Sequence, residues 1–73
     1  MDKKAEFSLA GHPYVELSNL LKYKGLCTSG GMAKGVIADG RVNVDGQVEF
    51  RKRCKILAGQ VVDFEGVSIT VIE

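Results

Sequence analysis

Residues 29–46 read SGGMAKGVIADGRVNVDG, and the fold turns on how this stretch divides. Met32, Ala33, Val36 and Ile37 form one apolar stripe at helical spacing. Ser29, or Thr28 before it, is a residue type that caps a helix N-terminus by accepting a backbone N–H. Gly40 stands where a helix commonly ends in a left-handed residue. Beyond it Val42 and Val44 alternate, Asp45-Gly46 turns the chain, and Val48 and Phe50 resume the alternation. Asp-Gly between alternating apolar residues is a strong hairpin signal. The stretch therefore predicts a helix over about Gly30–Asp39 that runs into a β-hairpin. A glycine inside a helix costs about 1 kcal/mol relative to alanine. Gly35 in this helix therefore predicts close packing of a second helix against it.

Upstream, residues 12–25 read HPYVELSNLLKYKG. Pro13 suits a first helical position, where its missing N–H costs nothing. Tyr14, Leu17, Leu20 and Leu21 recur at helical spacing and Gly25 supplies the stop, which predicts a helix over about Pro13–Tyr23. Before it, EFSLA (6–10) alternates Phe7 and Leu9 and predicts a short strand. After the hairpin, turns are predicted at Ala58-Gly59 and Glu65-Gly66, with strands over Val61–Phe64 and Ser68–Ile72. The order β-α-α-β-β-β-β predicts an α+β fold: a two-helix hairpin packed on a small, mostly antiparallel twisted sheet.

The chain has 73 residues, which predicts a single domain over 1–73. A chain this short buries only about 60% of its unfolded surface, so its core must be compact. No apolar run approaches the roughly 20 residues of a membrane helix. The N-terminus lacks the pattern of a secretory signal, so the expected location is cytoplasmic. Cys27 and Cys54 are expected to be reduced thiols. Two cysteines and one histidine cannot supply the usual four soft ligands of a zinc site, and neither metal nor cofactor is expected. The one histidine, His12, reads as an exposed residue at a helix entry, and the acids are scattered. No catalytic set and no small-molecule substrate are therefore expected. An enzyme would need a formed pocket around His12 or Cys54. TSGGMAKG (28–35) fails the Walker pattern, which lies between a strand and a helix: this segment joins two helices, and Lys34 falls inside the second. Its Gly30 and Gly31 amides nonetheless open a helix N-terminus, where N–H groups and the helix dipole favour an anion.

Charge is nearly balanced, with ten Lys and Arg against nine Asp and Glu, but it is unevenly placed. Residues 41–55, RVNVDGQVEFRKRCK, hold Arg41, Arg51, Lys52, Arg53 and Lys55. Residues 56–73 hold no basic residue. A basic cluster can keep a sheet edge from pairing with neighbours. With Arg41 at the other end of the hairpin and Lys34 on the polar side of the second helix, it favours a nucleic-acid backbone. The second helix carries a single basic residue, which argues against major-groove reading. The stacking candidates Tyr14, Tyr23 and Phe50 are expected in the core, which argues against single strands. Structured RNA, recognised by shape and phosphate geometry, is the expected partner.

The spacing of Ser29, Ala33, Val36, Ile37, Gly40, Val42, Val44 and Gly46 resembles the signature of the S-four RNA-binding domain, or alpha-L motif. Leu17, Leu20, Leu21 and Gly25 upstream, with Gly59 and Val61 downstream, extend the resemblance over about residues 13–65. The whole chain is similar to small stand-alone bacterial proteins of this kind. The resemblance implies RNA binding by the second-helix face and the adjoining hairpin. Two positions depart from the pattern: Gly30 replaces an arginine, and Gly35 replaces a second basic residue of the helix. These departures shift the burden to Arg51, Lys52, Arg53 and Lys55.

The expected protein is a non-catalytic, monomeric RNA-binding module. Lys34, Arg41, Arg51, Lys52, Arg53 and Lys55 are its expected phosphate contacts, with Ser29, Gly30 and Gly31 as helpers. The rival is a protein-interaction adaptor that docks the same basic face on an acidic or ribosome-associated protein.

Overall fold

The computed structural model describes residues 3–73. In chain order the elements are β1 (Lys3–Ser8), β2 (Val15–Glu16), α1 (Leu17–Tyr23), α2 (Gly30–Ala38), β3 (Val42–Val44), β4 (Gln47–Val48), β5 (Lys55–Ile56), β6 (Val61–Phe64) and β7 (Val67–Ile72). Five strands form one sheet in the order β1-β7-β6-β3-β4, and β2 pairs with β5 in a second, two-stranded sheet. Among the described residues only β1 and β7 run parallel. The remaining pairs are antiparallel. The architecture is the expected α+β one, with two helices against a mostly antiparallel sheet.

Alternation along the strands decides which sheet face the helices cover. Val42 and Val44 of β3, Val62 and Phe64 of β6, and Ile69 and Val71 of β7 are buried. They form one core with Leu17, Leu20 and Leu21 of α1 and Ala33, Val36 and Ile37 of α2. Full burial of side chains of this size stabilises by roughly 1.5–3 kcal/mol each. The opposite face carries the half-buried Asn43, Asp63 and Ser68, aligned across β3, β6 and β7, and the Ser68 hydroxyl donates to Asp63. Two tight turns use paired left-handed residues, Asp45-Gly46 (φ 52° and 85°) and Glu65-Gly66 (φ 52° and 77°). Such turns match the twist of hairpin strands.

Several boundaries differ from the sequence reading. The first strand is Lys3–Ser8 rather than residues 6–10, because its whole length is in parallel register with β7 from Lys3↔Val67 to Ser8↔Ile72. The first helix begins at Leu17 rather than Pro13. Val15 is β-branched and buried, and with Glu16 it pairs against Ile56 and Lys55 as strand β2. Pro13 is thus outside the helix, and Glu16 gives the helix no side-chain cap. Backbone carbonyls take that role: Leu17 N–H donates to Cys54 O at 2.9 Å and Ser18 N–H to Lys52 O at 3.1 Å. These bonds satisfy two of the four N–H groups that every helix start leaves open.

The hairpin's return strand ends at Val48, and Phe50 lies outside it. Gly35 does not mark a close helix contact: it is exposed, and a Cβ there would meet nothing within 4 Å. The inter-helix contact falls on the buried Ala33, Val36 and Ile37 side instead. Both cysteines are free and buried. Among the described residues, no helix is long and apolar enough to cross a membrane.

Candidate nucleic-acid interface

The basic segment leaves β4, crosses the start of α1 and enters β5. Its first turn is organised by Glu49. That carboxylate accepts from Arg51 Nε at 3.0 Å, Arg51 Nη2 at 3.1 Å and the Arg51 backbone N–H at 2.9 Å. The Arg51 side-chain bonds, then its backbone N–H, pull the Glu49 carboxyl down to about 2. The same contact raises the Arg51 pKa. Two parallel N–H···O bonds are the strong geometry for this ion pair. Cys54 lies beneath, with its Sγ 3.6 Å from Arg51 Nη2. Burial, then the nearby Glu49 charge, push the Cys54 thiol up, which disfavours the thiolate.

The other cations fall into two groups. Arg41 is ion-paired to Glu65 at the β6–β7 turn, and its guanidinium lies 5.7 Å from the Phe64 ring centroid. Its backbone neighbours the basic segment, since Glu49 N–H donates to Val42 O at 3.0 Å. Its side chain, however, reaches across to β6, whereas the segment follows β4 on the opposite side of β3. Lys34, Lys52, Arg53 and Lys55 are exposed. Among the described residues, none of these four has an ion-pair partner. Lys55 alternates with the buried Ile56, so it points outward, and its Nζ lies 5.0 Å from the Tyr14 ring centroid. This distance is within cation–π range.

Ser29 is the N-cap of α2: its Oγ accepts from Met32 N–H at 3.1 Å. Its hydroxyl acceptor therefore has a structural task. Gly30 and Gly31 follow it as the first two helical residues.

The aromatic residues depart most from the sequence reading. Tyr14, Tyr23 and Phe50 are all exposed, Tyr23 at 60% and Phe50 at 61%. Phe50 leans on the end of α2: a Cβ on Gly40 would sit 3.1 Å from Phe50 Cε1. Tyr23 stacks on Phe7 with ring planes 7° apart and centroids separated by 6.0 Å. Tyr14, Tyr23 and Phe50 carry no local sign of their exposure, because their contacts are set by β1, α2 and β5, which are remote in sequence.

A groove of about 610 Å³ runs between α1 and the loop before β2, lined by Phe7, His12, Tyr14, Glu16, Asn19 and Tyr23 among others. A second depression of about 380 Å³ lies between Arg51, Arg53, Cys54 and Lys55. His12 and Glu16 share the first without a hydrogen bond to each other among the described residues. No cluster of three or more His, Cys, Asp or Glu side chains suited to a metal occurs among the described residues.

A helix pair whose second helix leads through Gly40 into a β-hairpin, with cations on the adjoining loop, defines a class. The S4 domain matches residues 7–72, and the chain belongs to that family. It is 59% identical over 68 residues to YbcJ of Escherichia coli K12, in a match that spans 93% of this chain and 97% of that protein. The YbcJ of Shigella flexneri matches to the same extent. The solution structure of E. coli YbcJ, described as revealing an alpha-L motif involved in RNA binding, superposes with a TM-score of 0.75 at 56% identity. That likeness covers all of this chain and 92% of the other.

Proposed function

We propose that the chain is a non-catalytic RNA-binding module that grips the phosphate backbone of structured RNA, such as ribosomal or transfer RNA. The observation that carries the reading is the run Lys52, Arg53 and Lys55, exposed and without acidic partners among the described residues. Family membership and the alpha-L motif described for YbcJ support it.

Phosphate contacts fix register and orientation while carrying little sequence information. Lys34, Lys52, Arg53 and Lys55 supply the primary contacts. Arg41 and Arg51 have carboxylate partners and join only by exchanging them for phosphate. The Gly30 and Gly31 amides add helix-dipole attraction at the start of α2. Ser29 contributes by holding that helix start in shape. Because Lys52 O and Cys54 O cap α1, the loop's cations are mounted on backbone bonded to the helix. The mounting reduces the conformational freedom lost on binding.

The test is titration of a fully paired RNA stem at two salt concentrations, with the wild-type chain and with Lys52→Ala/Arg53→Ala. Salt-dependent binding that weakens in the variant is the expected result. Binding that ignores salt and both substitutions would reject the reading in favour of an adaptor docking on an acidic protein.

A further inference from the structure

The groove beside α1 is not used by the phosphate contacts, yet it adjoins them. We propose that it receives one unpaired nucleobase of the bound RNA, with guanine preferred. The proposal rests on the RNA-binding reading and adds a base-reading site to it.

Three features converge on that occupant. The first is a flat aromatic surface. Tyr23 is 60% exposed and backed by the nearly parallel Phe7 ring, while Tyr14 lies on the same groove. Every base has a π-face, so an exposed ring of this kind stacks bases. Unpaired RNA bases are the ones free to splay out onto aromatic side chains. The groove's volume is also within the range of about 300–1,000 Å³ typical of small-ligand sites.

The second feature is charge at the rim. Lys55 pairs in register with Glu16 across β2 and β5 and sits over the Tyr14 ring. A base seated in the groove would thus have a cation near one of its flanking phosphates. The segment Lys52–Lys55 continues from that rim, and its carbonyls bond the first turn of α1. A strand lying along the loop's cations would reach the groove at Lys55, whose Nζ is beside the groove-lining Tyr14.

The third feature is a polar wall. Glu16, Asn19 and Tyr23 lie at helical spacing along one side of the groove. Asn19 Nδ2 donates to Glu16 Oε1 at 3.4 Å, which orients the carboxylate, and among the described residues Oε2 has no hydrogen-bond partner. A carboxylate only accepts. Guanine is the base whose Watson–Crick edge presents two adjacent donors, N1–H and the N2 amino group. Adenine and cytosine offer one amino group beside an acceptor, and uracil one imino N–H between acceptors. Glu16 thus favours guanine and disfavours a phosphate in its place.

The experiment uses the full chain and three RNA stems, one fully paired, one with a single bulged guanosine and one with a bulged adenosine. Fluorescence anisotropy gives each affinity for the wild type, Tyr23→Leu and Glu16→Gln. The wild type should bind the bulged guanosine stem most tightly. Tyr23→Leu should lose about 5- to 150-fold on that stem, the fold-change corresponding to one stacked base. Its affinity for the paired stem should not change. Glu16→Gln should bind the two bulged stems alike. Tyr23 is at the surface, so its replacement spares the core, and the wild-type comparison of stems needs no variant. Equal binding of bulged and paired stems by the wild type, or unchanged binding by both variants, would overturn the base site while paired-stem binding still supports the phosphate reading. Absence of binding to all three stems would overturn both.

Discussion

Removing Glu49 and Arg51 together, as Glu49→Gln/Arg51→Gln, separates an ion-paired arginine from one that binds RNA. Net charge is unchanged, and the glutamine amide placed at position 49 still offers an oxygen to the backbone N–H of position 51. The bidentate contact, with bonds of 3.0 and 3.1 Å, keeps Arg51 on Glu49. On the proposed function, the phosphate contacts of the wild type would then be Lys34, Lys52, Arg53 and Lys55. At about 0.7–0.9 per phosphate contact, four contacts give a log–log salt slope of about −2.8 to −3.6. Raising salt from about 50 to 200 mM should then weaken binding by about 50- to 150-fold. The double Gln variant should keep that slope. Lys52→Ala/Arg53→Ala should halve it, so that the same salt change weakens binding only about 7- to 12-fold. Glu49→Gln alone frees Arg51 and should steepen the slope by about one contact. The assay is anisotropy of a labelled paired RNA stem at three salt concentrations and constant pH. A double Gln slope shallower than wild type by a full contact would mean that Arg51 touches phosphate in spite of Glu49, and would overturn its assignment as an ion-paired bystander.

Other predictions concern stability and reactivity. The Glu49 carboxyl is held near 2, below its usual value, so between about pH 4.5 and 2 the unfolded chain binds the extra proton. Its stabilisation is complete above that window and lost as pH falls through it; Glu49→Gln should flatten the acid limb of denaturation measured by circular dichroism. Gly35→Ala should raise stability by about 0.5–1 kcal/mol, since the added methyl meets open space on a helix. Gly40→Ala should lower it by at least about 1 kcal/mol, because φ is +76° and the new Cβ would press on Phe50, 3.1 Å away. Urea titration distinguishes the two outcomes by sign. Burial raises the pKa of both thiols, so Cys27 and Cys54 should react slowly with a disulfide reagent near neutral pH and rapidly once urea unfolds the chain.

Amino-acid order alone dictated the α2–β3–β4 succession, the Asp45-Gly46 and Glu65-Gly66 turns and the α+β class. Those features depend on local chemistry: apolar spacing, the Ser29 cap, and Asp-Gly and Glu-Gly pairs in positive φ. It also placed the cations along the chain, because charge is a property of composition. Long-range packing selected which of those cations carry a carboxylate partner. Glu65 reaches Arg41 from 24 residues away, and Glu49 holds Arg51 through a turn whose shape depends on β3. It likewise moved the start of α1 to Leu17, because strand β5 and the loop before it supply the pairing and capping carbonyls that no local signal could announce. Exposure of Tyr14, Tyr23 and Phe50 was settled the same way: an aromatic side chain is apolar enough for the core and flat enough for a surface, and only distant neighbours choose between them.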